Sequence, residues 1–234
     1  MWGSVVEGRT LTFRLVGINN QNFVMQDTET GSWWQQVSGE AILGPLKGRT
    51  LDVVPSDQLT FGMWTGEAPN GRVLRPDDRI SRAGLYAPAD WEQGIQKEPA
   101  PASARADARL APRALVIGVT AGDGAKAFPV SALTAGGVVL DEVGGTPVAV
   151  VRAPDGRSTR VFDRRVDGRV LEFVVRTDPF RLADTASGSD WDFTGAAVAG
   201  SMAGRHLSRV PYLEEYWFDW KTYHPSTELA VHLK

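Results

Sequence analysis

Cysteine is absent from the 234 residues. Disulfides, thiolate metal sites, cysteine nucleophiles and thioether haem attachment are therefore excluded. Histidine is scarce: His206, His224 and His232 are the three, and they lack the close spacing of a zinc site. Neither sign of charge dominates, with 25 Lys+Arg against 28 Asp+Glu and a net charge of −3. A binder of nucleic acid that relies on phosphate neutralisation would be basic, so no nucleic-acid partner is expected. No apolar run approaches the ~20 residues of a membrane-spanning helix. Phosphate-loop, dinucleotide, nucleophile-elbow, HExxH and EF-hand frames are all missing.

What the chain does contain is punctuation. Gly (25) and Pro (14) make up about one residue in six, which favours many short strands and turns over long helices. Trp is also plentiful, with 8 residues.

The chain resembles itself. Asp27-Thr28-Glu29-Thr30-Gly31-Ser32-Trp33-Trp34 recurs as Asp184-Thr185-Ala186-Ser187-Gly188-Ser189-Asp190-Trp191, an offset of 157. At an offset of 156, Gly39, Ala41, Gly44, Gly48, Leu51, Trp64 and Pro69 match Gly195, Ala197, Gly200, Gly204, Leu207, Trp220 and Pro225. Upstream, Gly8-Arg9 with Leu11 and Phe13 matches Gly168-Arg169 with Leu171 and Phe173 at an offset of 160. Ordered matches of Gly, Pro and Trp indicate an internal repeat. Leu115 to Arg160 has no counterpart in the first copy, so the chain holds about one and a half units.

These observations predict a mainly β protein with two repeat-related antiparallel lobes, barrel- or sandwich-like, each closed by a short helix. Residues 1–76 form an incomplete first lobe, 77–113 a linker with a Pro/Ala stretch at Glu98 to Ala106, and 114–234 a complete second lobe. In the second lobe three hairpins are expected, turning at Gly122-Asp123-Gly124, Gly144-Gly145 and Asp167-Gly168. The third would join Thr159–Arg164 to Val170–Val175. Leu213, Tyr216, Trp217 and Trp220 fit one helical face. On that helix Glu214, Glu215 and Asp219 read as a solvated face.

Few residues carry chemistry. His224 follows Trp217, Trp220 and Tyr223 and reads either as a histidine at an aromatic pocket or as a cap on the last helical turn. Asp27 and Asp184 could act as acid–base carboxylates, but an Asp before a tight turn more often bonds its own backbone. Trp2 and Trp91 lie outside the repeated framework and are candidate interface anchors; Trp91 could equally pin the linker to a lobe.

Taken together, several motifs resemble the uncharacterised bacterial family called domain of unknown function 3179. They are Phe162-Asp163-Arg164-Arg165-Val166-Asp167-Gly168-Arg169, Asp27-Thr28-Glu29-Thr30 with Trp34, Gly39-Glu40-Ala41-Ile42-Leu43-Gly44-Pro45 with Gly48, and Trp217-x-x-Trp220 with His224-Pro225. The resemblance implies a double β unit that is usually exported, so a periplasmic setting is expected. The first residues, Met1 to Gly8, lack the basic start and apolar stretch of a signal peptide. The family typically carries a Cys-Pro-x-Cys-Gly run. Here Ala153 and Gly156 stand in the comparable stretch of the second unit, and the first unit lacks it.

Two functional expectations follow. The first is a non-catalytic accessory subunit that docks on other protein subunits, its incomplete lobe offering free strand edges. A membrane-bound respiratory or photosynthetic complex, met on its extracytoplasmic side, is the assembly suggested. The second is an enzyme or small-ligand binder using a cleft between the lobes, with His224, Asp184, Trp217, Trp220 and an anion-clamping Arg164. No cofactor and no metal site is expected.

Overall fold

A computed structural model of the protein describes residues 1–230 apart from 83, 85 and 102–106. It is mainly β, built from several antiparallel sheets with few helices. Among the described residues no sheet closes into a barrel, which corrects the barrel alternative. Much of the Pro/Ala stretch lies outside the described residues.

A two-residue ribbon, β1 (Val5–Val6) and β2 (Arg9–Thr10), leads into the first sheet. That sheet is a meander of β3 (Phe13–Asn19), β4 (Asn22–Asp27), β5 (Trp33–Gln35) and β6 (Ala41–Leu43). Trp34, Leu11, Ala41 and Leu51 form its small core, with Phe13 edge-on to Trp34 at 5.9 Å. Helix α1 (Phe61–Glu67) follows, started by the Thr60 side chain accepting from Met63 N–H. The expected linker carries two short helices, α2 (Asp78–Arg82) and α3 (Trp91–Ile95).

The second half stacks three sheets. The outermost has β7 (Leu115–Ala121) and β8 (Gly124–Pro129) at its centre. The middle sheet runs through β9 (Gly137–Val143), β10 (Thr146–Arg152) and β11 (Thr159–Asp163). Every residue of β10 after Thr146 is buried. Val148 and Val150 pack toward the first layer, while Ala149 and Val151 pack toward the third. A strand covered on both faces reads as a continuous apolar run rather than an alternation. After a ribbon of β12 (Arg165–Val166) and β13 (Arg169–Val170), the third sheet is β14 (Phe173–Thr177), β15 (Phe180–Asp184), β16 (Asp190–Trp191) and β17 (Ala197–Ala199). Then β18 (Ser208–Arg209) joins β11, β19 (Tyr212–Tyr216) joins β7, α4 (Trp217–Tyr223) covers the outer face, and β20 (Glu228–Leu229) pairs with β8 in parallel.

Two expectations change here. The Asp167-Gly168 turn joins only β12 and β13, because β11 pairs with β10 and β14 pairs with β15. The turn is real, but its flanking strands are claimed by different sheets. The helix predicted to include Leu213 starts instead at Trp217, because Tyr212 to Tyr216 pair in register with Val119 to Leu115. Ladder bonds with a neighbouring strand outweigh a 3.6-residue pattern.

Gly39 and Gly195, aligned in the sequence, each abut an aromatic ring. Gly39 and Gly195 have φ of +68° and +87°, and a Cβ there would lie 2.7 Å from Trp2 and 2.5 Å from Phe162 respectively. Only glycine satisfies both conditions. Trp2 bridges Val53 as Phe162 pairs with Arg209. Trp2 is thus partly packed on the first core, its Nε1–H donating to Gln36 O at 2.6 Å.

Candidate functional site

The richest chemistry lies where β19 runs into α4. The transition is satisfied by backbone: Trp217 N–H donates to Ala114 O at 2.8 Å and Phe218 N–H to Pro112 O at 2.9 Å. These occupy amides that a helix start leaves free. The helix ends at His224, whose N–H bonds Trp220 O at 2.9 Å, and Pro225 follows. Trp217, Phe218 and Trp220 are buried. Trp220 lies flat on Gly118, where a Cβ would come within 2.2 Å of the ring. Its Nε1–H donates to Thr227 Oγ1 at 2.8 Å, and the His224 ring sits 3.8 Å from it. Burial lowers the His224 pKa, so at neutral pH the imidazole is uncharged.

The first lobe meets this helix with amides. Asn22 Nδ2–H donates to Asp219 Oδ1 at 2.7 Å, and Gln35 Nε2–H to the Tyr223 hydroxyl at 2.5 Å. Two cavities border the junction. One of about 400 Å³ is lined by Trp2, Asn22, Tyr212, Glu215, Trp220 and His224. The other, about 930 Å³, is lined by Trp91, Arg152, Glu214, Glu215, Tyr216 and Asp219. Glu215 belongs to both walls.

The acidic residues correct the sequence reading of a solvated helix face. Glu214 and Glu215 lie on β19, not on the helix, and both are largely covered. Glu215 Oε2 is shut off from solvent and has no hydrogen-bond partner among the described residues. Burial first, and then the Asp219 charge, push its carboxyl up to about 8. Burial raises Asp219 to about 6 against the opposing Asn22 hydrogen bond. Burial also raises Glu214, opposed by Arg152, whose Nη1 is 3.7 Å away. The junction therefore holds protonatable carboxyls and a neutral imidazole.

The five proposed ligand residues are split. His224 and Trp220 line one cavity, and Trp217 shares their helix. The Trp217 ring lies under the Arg109 guanidinium at 4.9 Å, and its Nε1 has no partner among the described residues. Asp184 sits at the end of β15, where its carboxylate accepts Ser187 N–H at 2.8 Å. Burial alone would raise its pKa, but hydrogen bonds from Ser187 and the local backbone outweigh burial and lower it. Arg164 donates to Leu171 O at 2.9 Å and to Glu172 Oε1 at 2.5 Å. Neither Asp184 nor Arg164 lines either of these two cavities. Trp91 is half exposed on the larger cavity. Ala153 is buried, and Gly156 N–H closes a turn onto Ala153 O at 2.9 Å.

Glu215, Asp219, Asn22 and Tyr223 were not singled out from sequence as site residues. A signal was present: Tyr212 to Tyr223 contains six aromatic residues, and acids in such a segment cannot all reach water. Among the described residues no cluster of three metal-ligating side chains occurs, and no helix is long and apolar enough to cross a membrane.

No curated protein and no solved structure matches the chain. A family model does match, over residues 1–227, and the protein belongs to that family, described as "Protein of unknown function (DUF3179)".

Proposed function

We propose that the two matched sheets are copies of one unit, and that the protein is an accessory subunit that docks a partner on the bare face of the first. The observation that carries this reading is a difference in cover. In the third sheet Val175 and Phe180 pack around a buried core under Val138 and Leu140 of β9. At the matched places in the first sheet, Leu15 is 58% and Phe23 47% exposed, and neighbouring Ile18 is 67% exposed. Register supports the match, since Leu15 pairs Met25 as Val175 pairs Leu182. Full cover of an aliphatic or aromatic side chain contributes ~1.5–3 kcal/mol over exposure. The partner element that fits is an antiparallel β segment presenting branched aliphatic side chains, as β9 does.

The test is native purification of the tagged chain from the cells that make it, beside a Leu15→Glu/Phe23→Glu variant. A stoichiometric companion should accompany the parent and be lost from the variant, with melting temperature unchanged. A parent chain that is a stable monomer without companions sinks the proposal. So does a companion that the variant retains.

A further inference from the structure

We infer that the junction between the first sheet and α4 is an acid-held latch: with Glu215 and Asp219 protonated the lobes stay closed, and ionisation of the pair drives them apart. This is independent of the docking face.

The geometry is that of an interface whose two acids lack an ion-pair partner among the described residues: Arg152 and Arg157 share the larger cavity but act on Glu214, and the Met1 ammonium on the smaller cavity donates to Ser56 Oγ at 3.3 Å. The first lobe contributes the amides of Asn22 and Gln35, and Asn20 lies beside them; none of these carries a charge. From α4 and its C-cap come Asp219, Tyr223 and His224, the last stacked on Trp220 with its pKa lowered by burial. Lys221, on the same helix, bonds Pro225 O and faces Asp107. On β19, Glu214 is the carboxylate that faces Arg152, and Arg157 acts on Glu214 as well. Glu92 of α3 faces the larger cavity. Arg113 is spread over Tyr216 and Phe218, 5.2 and 5.3 Å from their rings. Among the described residues no Lys or Arg forms an ion pair with Glu215 or Asp219.

Ionisation of both would set two like charges in a covered junction with one amide donor between them. Such a state is relieved by admitting water, which here means separating the lobes. The direction of the pH effect follows from linkage. Both carboxyls are raised, to about 8 and about 6, so the closed form binds protons more tightly than an open, solvated one. Rising pH therefore favours opening, through a window from ordinary carboxyl values up to those limits. Each factor of ten by which opening strengthens these acids is a factor of ten in the opening equilibrium at high pH.

The absence of cysteine makes the test clean. Spin labels at Glu40→Cys and Asp123→Cys, both exposed positions in opposite lobes, report the separation by pulsed electron resonance. A longer distance component should grow between pH 5 and pH 9, with the opening constant rising at least ~100-fold. The Glu215→Gln/Asp219→Asn variant should keep the short distance at both pH values. An unchanged distribution in the parent overturns the inference, as does a variant that opens like the parent. Carbon-13 carboxyl titration of the parent gives a check that needs no variant. Glu215 and Asp219 resonances that both titrate near 4 would also overturn it.

Discussion

The sheet of β3–β6 and the sheet of β14–β17 turn on the same residues and differ in what lies above them. In both, an Asp closes the turn: Asp27 N–H bonds Ser32 O, and Asp184 N–H bonds Ser189 O, each at 3.0 Å. In both, a glycine with φ near +90° leaves room for a serine, Gly44 over Ser32 and Gly200 over Ser189. The register even shifts at the same place, before Trp34 and before Trp191. Local chemistry is therefore enough to shape a meander of this kind. It does not decide whether the inner face becomes a core. That depends on β9 and β10, which the second half has and which have no counterpart over the first sheet among the described residues.

A second contrast concerns the segment after each sheet. Matched positions place 55–60 against β19 and α1 against α4, and the two helices end in similar C-cap geometry, at Ala68 and His224. Yet β19 pairs along β7, whereas the first segment crosses to the second half. Gln58 bridges Thr159, and Arg160, only 3% exposed, is clamped by Asp57 at 3.0 Å and Glu67 at 2.6 Å. Arg209 also bonds Asp57. Among the described residues no strand stands beside the first segment as β7 stands beside β19, and the segment instead contacts the second half. A buried guanidinium held by two carboxylates costs several kcal/mol to break from one side, so this attachment stays made while the amide contacts at α4 part.

The largest expected effect separates the two inner faces. Leu182→Ala, at a fully buried position, should cost about 2–5 kcal/mol. Leu15→Ala on the bare face should stay within about 0.5 kcal/mol. Urea midpoints measure both, and a loss at Leu15 near that at Leu182 would break the contrast.

A smaller effect separates the two tryptophans. Trp34 Nε1–H donates to Asp27 at 2.7 Å, whereas Trp191 Nε1 has no partner among the described residues. Both rings are fully buried, so a change to Phe removes a similar volume from each. Trp34→Phe should therefore cost more than Trp191→Phe, by the ~1.5–3 kcal/mol of a bond to a charged acceptor. Equal losses by thermal melting would show that the hydrogen bond contributes nothing.

The smallest effect should be shared. Arg49 pairs Glu7 at 2.6 Å and Arg205 pairs Asp167 at 3.0 Å, all well exposed. Alanine at either arginine should change stability by less than about 0.5 kcal/mol. A larger change at one alone would show that its turn depends on the pair.

Turns were the legible part of this fold. Gly, Asp and Pro act within a few residues, so the bends at 122, 144 and 168 could be placed before any packing was known. Strand partners were less legible: the residues around Asp167-Gly168 suit a hairpin, and two competing sheets take them apart. At the candidate site, His224 beside Trp220 was readable because His224 caps the short helix that carries Trp220. The acid pair was not, because Glu215 and Asp219 are covered by strands and amides distant in sequence.

By itself the sequence determined a β-rich chain, its family, its turns and the absence of thiol chemistry. These depend on residue type and near neighbours, which a linear pattern records. Tertiary structure decided which sheet face is covered, where β19 becomes α4 and which carboxyls keep their protons. Each of those follows from burial and from charge separation, set by contacts between segments that the chain order leaves far apart.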